Sequence, residues 1–150
     1  MSQVKWNFDV FKWSTPQLLG ISYCIMIDFH VPQFLNIRSS SSLLKFLADV
    51  ERNYLKNPYH SFLHAVDVLE FLYYLLTDLD VSKYLQNSDV MVCLISSLCH
   101  DMGHPGLNNA FQTSAKTDLA AKYCNISILE NHSVDLTLSL LRSHNILPPA

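Results

Sequence analysis

Glycine is scarce: the 150 residues include only 3, beside 6 prolines. Collagen-like and low-complexity architectures need those residues in bulk and are excluded. Charged residues are also few, at 15%, whereas 49% of the chain is hydrophobic. Disordered chains combine the opposite values, so a folded core is expected. The ten Lys and Arg form no run, and without clustered cations there is no counter-surface for a nucleic-acid backbone. No apolar stretch follows a basic start, so no leader peptide is expected. The apolar run Leu18 to Ile27 is shorter than the ~20 residues of a membrane span. Cys24, Cys93, Cys99 and Cys124 contain no C-x-x-C pair, and three lie in apolar runs. Buried free thiols in a reducing compartment are expected rather than disulfides. These absences predict a cytoplasmic protein with no nucleic-acid partner and no membrane span. No internal repeat is visible, and the length alone would suit a single domain.

What is present reads as helix. Ser39-Ser40-Ser41-Ser42 ends a loop and offers an N-cap. Leu43, Leu44, Phe46, Leu47, Val50 and Tyr54 then share one face at 3.6-residue spacing. Asn57-Pro58 breaks the pattern, because a residue before proline avoids the α region. Phe62, Leu63, Val66, Leu69, Tyr73 and Leu76 predict a second helix from about Tyr59. Ser88-Asp89 is expected to cap a third, which is apolar or small on all sides from Val90 to Cys99 and so buried all round. Ile128 to Leu141 predicts a fourth. Tyr23 to Phe29 fits a strand or a helix by composition; lacking any partner strand, it is read as helix. Phe8, Phe11, Trp6 and Trp13 read as hydrophobic anchors, and His30 and His144 as helix-end residues. The expected fold class is all-α.

Two polar clusters interrupt this apolar pattern. His60 and His64 at i and i+4 would share one helix face. Zincins use that spacing with a Glu after the first His; here Ser61 follows. His100-Asp101-Met102-Gly103-His104 ends the most apolar helix. Burying so much polar material costs several kcal/mol, of order 2–7 per unpaired group, unless it is paired or bound to metal. Imidazole suits zinc, and carboxylate suits magnesium or manganese. Asp101 has two oxygens and could bridge two ions. A hydroxide between two metals is a competent nucleophile toward a phosphate ester, leaving one histidine to act as acid. Such ions would also supply the positive charge the composition lacks.

Asn57-Pro58-Tyr59-His60-Ser61-Phe62-Leu63-His64-Ala65-Val66-Asp67-Val68 resembles the Y-H-N-x-x-H-A-x-D-V signature of class I cyclic nucleotide phosphodiesterases. His100-Asp101-x-x-His104-Pro105-Gly106, with Asn109 and Phe111, resembles their H-D-x-x-H-x-G-x-x-N-x-F segment. Leu129-Glu130-Asn131-His132 resembles L-E-N-H, and Trp6-Asn7-Phe8-Asp9-Val10-Phe11 resembles the W-x-F-D-x-F opening of their catalytic domain. The order of the four segments matches. Ser61 stands where the family has Asn, and Cys124-Asn125 where it has Asn-Asp.

The resemblance implies an all-α, HD-type metal-dependent phosphohydrolase that opens the 3′ ester of 3′,5′-cyclic AMP or GMP to give a 5′-monophosphate in signal transduction. It implies His60 as the general acid. His64, His100 and Asp101 are implied as ligands of a tight metal, usually Zn2+, with Asp101 also reaching a second, usually Mg2+ or Mn2+. It implies His104, Asn109 and Glu130 around the second metal and the substrate phosphate, with Tyr59 beside the site; Asp67 could orient His64. It covers only about the first half of that catalytic domain. The family's fourth ligand, an Asp, has no match among Asp118, Glu130 and Asp135. The base-gripping glutamine and the stacking aromatic are also unmatched. Residues 1–150 are therefore expected to be a partial domain, inactive alone and prone to aggregate. The alternatives are an inactive fragment that binds metal or a partner, and another HD-type phosphohydrolase. Base preference and oligomeric state do not follow from these residues.

Overall fold

A computed structural model describes residues 7–147 apart from 36 and 38, so Trp6 and Pro148-Pro149 lie outside the described residues. Eight α-helices occur among these, with no strand: α1 Thr15–Asp28, α2 Val31–Phe34, α3 Ser40–Arg52, α4 Phe62–Thr77, α5 Asn87–Cys99, α6 Asn109–Ser114, α7 Asp118–Lys122 and α8 Ile128–Ser143. The ambiguous 23–29 stretch completes α1. Among the described residues, no helix is long and apolar enough to cross a membrane.

The serine run works as expected: the Ser39 hydroxyl accepts the Ser42 N–H at 3.1 Å and starts α3. Leu43, Phe46, Leu47 and Val50 are buried, but Leu44 is exposed, one step off the face that meets α1. α4 packs chiefly along α5. Leu18, Met26, Leu47, Leu69, Leu94 and Leu98 form the heart of the core, each almost wholly out of water. His144 follows the end of α8; its Nε2 lies 3.0 Å from Asp49 Oδ2, and its ring meets Phe46 edge-on, tying α8 to α3. His30 precedes α2 in the left-handed region.

Five expectations need correction. α4 starts at Phe62 and not near Tyr59, because extended Ser61 takes the N-cap position and its carbonyl accepts the Ala65 N–H. α5 starts at Asn87, one residue before Ser88, and its N-cap is Gln86, whose N–H donates to the Asp89 carboxylate at 3.0 Å. Nor is α5 buried all round: α4 covers one side, and Val92, Cys93 and Ser96 face outward. All four cysteines are free, but only Cys99 is buried, where burial pushes its thiol pKa up to about 12; the other three are exposed. Among the N-terminal aromatics, Phe8 stacks on Trp13 with ring centroids 6.0 Å apart, whereas Phe11 anchors nothing and is 83% exposed.

One buried group stands out. Glu70 of α4 is 2% exposed, and neither carboxyl oxygen has a hydrogen-bond partner. Burial, then repulsion from Asp67, push its pKa from the ordinary 4.5 to about 7. The folded state therefore holds this proton more tightly than the unfolded chain does. Its contribution to stability is complete below pH 4.5 and is lost as pH rises to about 7. A difference of roughly 2.5 units amounts to about 3 kcal/mol. Urea unfolding across that window is expected to show this loss in the wild type beyond that in Glu70→Gln, which cannot ionise. Parallel pH profiles of the two proteins would contradict it.

Candidate metal centre

The turn after α5 carries the donors. α5 ends at Cys99, and Met102, fully buried, pins the turn to the core. His100, Asp101 and His104 thereby project from a fixed backbone. Gly103 has φ +71°, where an added Cβ would meet Leu136 and His132. Four hydrogen bonds from the α3–α4 linker cradle this turn. The Gly103 N–H donates to Asn53 O at 2.8 Å, and Tyr54 Oη donates to Leu98 O at 2.8 Å. Tyr54 Oη also accepts the Asp101 N–H at 3.4 Å, and Asn57 Nδ2 donates to His104 O at 2.6 Å. The apolar pattern placed Tyr54 on a helix face; its hydroxyl does this further work beyond the end of α3.

His64 projects from the first turn of α4 toward this turn, 36 residues further on. The His100 Nε2 atom lies 3.3 Å from His64 Nε2 and 3.3 Å from Asp101 Oδ2, and His64 Nε2 lies 3.7 Å from Asp101 Oδ2. Zinc–ligand bonds of ~2.0–2.1 Å in a tetrahedron give edges of roughly 3.3–3.4 Å, so the trio fits three corners of a tetrahedral site. Among the described residues these are the ones grouped as a possible metal-holding cluster. The His100 Nδ1–H donates to Ser97 O at 2.9 Å, so that in the neutral ring the Nε2 lone pair faces the cluster, whereas in the protonated ring Nε2–H donates to Asp101. Burial, and then the His100 charge, lower the His64 pKa, favouring the neutral form a metal needs. The Asp101 hydrogen bond raises that of His100. Burial acts to raise the Asp101 pKa, but the His100 hydrogen bond and the surrounding imidazoles outweigh it and hold the carboxylate below its usual value.

His60 does not share a helix face with His64, because it precedes α4 in the linker. Its ring instead stacks on His104, with centroids 3.7 Å apart and planes 11° apart, and lies 6.4 Å from the His64 ring. The Gly106 N–H donates to His104 Nδ1 at 3.0 Å, fixing that tautomer. Burial, then the His60 charge, lower the His104 pKa. Asn109 Nδ2 donates to both Glu130 oxygens, at 3.0 and 3.3 Å, and its Oδ1 accepts the Leu129 N–H at 3.0 Å. His60, His100, Asp101, His104, Asn109 and Glu130 thus line one cavity of about 490 Å³. Tyr59 is 63% exposed and lies over His64 at 4.5 Å between ring centroids. Asp67 is exposed and acts on His64 through its charge; no hydrogen bond joins the two.

The sequence is similar to those of known proteins. The chain is 41% identical over 139 residues to the 3',5'-cyclic-nucleotide phosphodiesterase regA of Dictyostelium discoideum, covering 92% of this chain and 17% of that protein. It is 31% identical over 135 residues to the human high affinity cGMP-specific 3',5'-cyclic phosphodiesterase 9A, covering 90% of this chain and 23% of that protein. The crystal structure of the phosphodiesterase domain of the RhoPDE fusion protein from the choanoflagellate Salpingoeca rosetta superposes with a TM-score of 0.89 at 33% identity, covering 99% of this chain and 47% of that one. The chain thus spans about half of a solved phosphodiesterase domain and a smaller share of the curated relatives. The family described as 3'5'-cyclic nucleotide phosphodiesterase matches residues 59–149. That match takes in both histidine clusters and the Asn109–Glu130 pair, and the chain belongs to this family.

Proposed function

We propose that residues 1–150 are the N-terminal part of a catalytic domain that hydrolyses 3′,5′-cyclic nucleotides to 5′-monophosphates in the cytoplasm. The observation that carries this reading is the three-donor cluster with its near-tetrahedral spacing beside a separate pair of stacked imidazoles. His64, His100 and Asp101 would hold a Zn2+ ion, and the second Asp101 oxygen a Mg2+ or Mn2+ ion. Bound there, divalent ions would neutralise phosphoryl charge and make water acidic enough to attack at neutral pH. His60, outside the donor cluster, would hold the proton that the O3′ leaving group needs. His104, its tautomer fixed by Gly106, supports His60 from one face. The Asn109–Glu130 pair lines the cavity where the phosphate would sit, and Tyr59 flanks the cluster from the His64 side. A fourth ligand and the base pocket would come from the remainder of the domain.

The test is a chimera of residues 1–150 with the C-terminal remainder of the choanoflagellate domain. It is expected to convert cyclic AMP or cyclic GMP to the 5′-monophosphate, with a chelator abolishing turnover. The 150 residues alone are expected to show none above background. A cooperatively folded, zinc-loaded chimera that leaves both substrates intact would overturn the activity. Chelator-sensitive turnover by the 150 residues alone would overturn the partial-domain reading.

A further inference from the structure

A proton donor in a linker needs a fixed position, since a misplacement of about 1 Å can cost ~10²-fold in rate. His60 has no helix to hold it. The segment around it is turned by short-range backbone bonds alone, Asn57 N–H to Leu55 O and Ser61 N–H to Tyr59 O. Nevertheless its ring is stacked face to face on His104. One side chain links the two segments that carry these rings. Asn57 Nδ2 donates to His104 O at 2.6 Å and to His60 O at 3.2 Å. The same side chain packs on Gly106, at φ +86°, where an added Cβ would lie 2.9 Å from Asn57 Oδ1. Gly106 in turn holds His104 through its N–H. Asn57, Gly106, His104 and His60 therefore form a closed ring of contacts.

We propose that Asn57 is the positioning residue that sets His60 against His104. It touches none of the three metal donors and acts through the two carbonyls alone. This rests on the reading of His60 as the proton donor, but its test needs no turnover. A carboxylate of the same size cannot donate, so Asn57→Asp breaks both bonds while keeping the shape. Asn57→Ala removes them without adding charge.

The experiment is NMR of the imidazole C–H protons in the 150-residue chain, because stacked rings shift each other's resonances. In either variant, the His60 and His104 resonances are expected to move toward unstacked positions while those of His132 and His144 stay in place. A folded variant with all four unmoved would overturn the proposal. Movement of all four together would reduce Asn57 to a general structural role and would also overturn it. In the wild type, cross-peaks from the Asn57 side-chain amide to the His104 segment are expected; their absence would overturn the proposal even if neither variant folds. An inactive chimera whose stack depends on Asn57 would count against the catalytic reading alone.

Discussion

Replacing His60 by Ala in the chimeric enzyme is expected to lower kcat by about 10²–10⁴-fold, the usual worth of a positioned proton donor, and to leave zinc content unchanged. The reasoning is geometric. His60 lies outside the donor trio and faces His104, so its loss takes a proton from the reaction without opening the metal cluster. A cyclic phosphodiester with a more acidic leaving group needs less protonation and should lose less rate. Metal analysis beside steady-state kinetics reads both effects. Parallel loss of zinc and turnover would make His60 a ligand and refute its role as acid.

The second large effect concerns the metal. His100→Ala is expected to weaken zinc binding by about 10²–10³-fold. Structural zinc sites bind with ~10–16 kcal/mol, or ~2.5–4 kcal/mol for each of four ligands if shared equally. Removing an outer partner costs only about 10–100-fold, so the size of the loss separates a ligand from a supporting residue. His100 is the sharpest choice, because its Nε2 lies 3.3 Å from both other donors and Ser97 fixes its tautomer. Competition with a chromophoric chelator measures the change, and His132→Ala serves as a control. Equal affinity in His100→Ala and wild type would remove the proposed ligand set.

Much of this was legible in the sequence, and the misses share a cause. The 3.6-residue spacing marked α3 and α4, because each buries an apolar stripe against a neighbour; α5 was legible as a run of apolar and small residues, and α8 as the stretch from Ile128 to Leu141. α6 and α7 escaped notice: their starts depend on the Asn108 and Thr117 side chains, and neither is long enough for a period. The same period extended α4 back to Tyr59, since spacing cannot register that Ser61 is extended. The donors His64, His100 and Asp101 were readable as residue types. The tautomers of His100 and His104 were not, since Ser97 O and the Gly106 N–H, which fix them, are backbone groups of a kind that every sequence contains. Asn57 was invisible as a positioning residue for the same reason. Glu70 lies in the apolar register of α4 beside Leu69 and Tyr73, and a pattern of hydrophobic residues passes over the charged member that it buries.

The cradle beneath the His100–His104 turn also bears on how the protein folds. Tyr54 meets Leu98 across 44 residues, and Asn57 meets His104 across 47. Closing loops of that length costs roughly 3 kcal/mol of chain entropy before any bond repays it, and non-local contacts of this kind slow folding. The proposed ligands cannot converge until α4 and α5 have docked, since His64 stands on α4 and His100 and Asp101 follow α5. Uptake of a metal at the proposed site during refolding should then lag behind helix formation, which would make metal capture a clock for the last step of assembly.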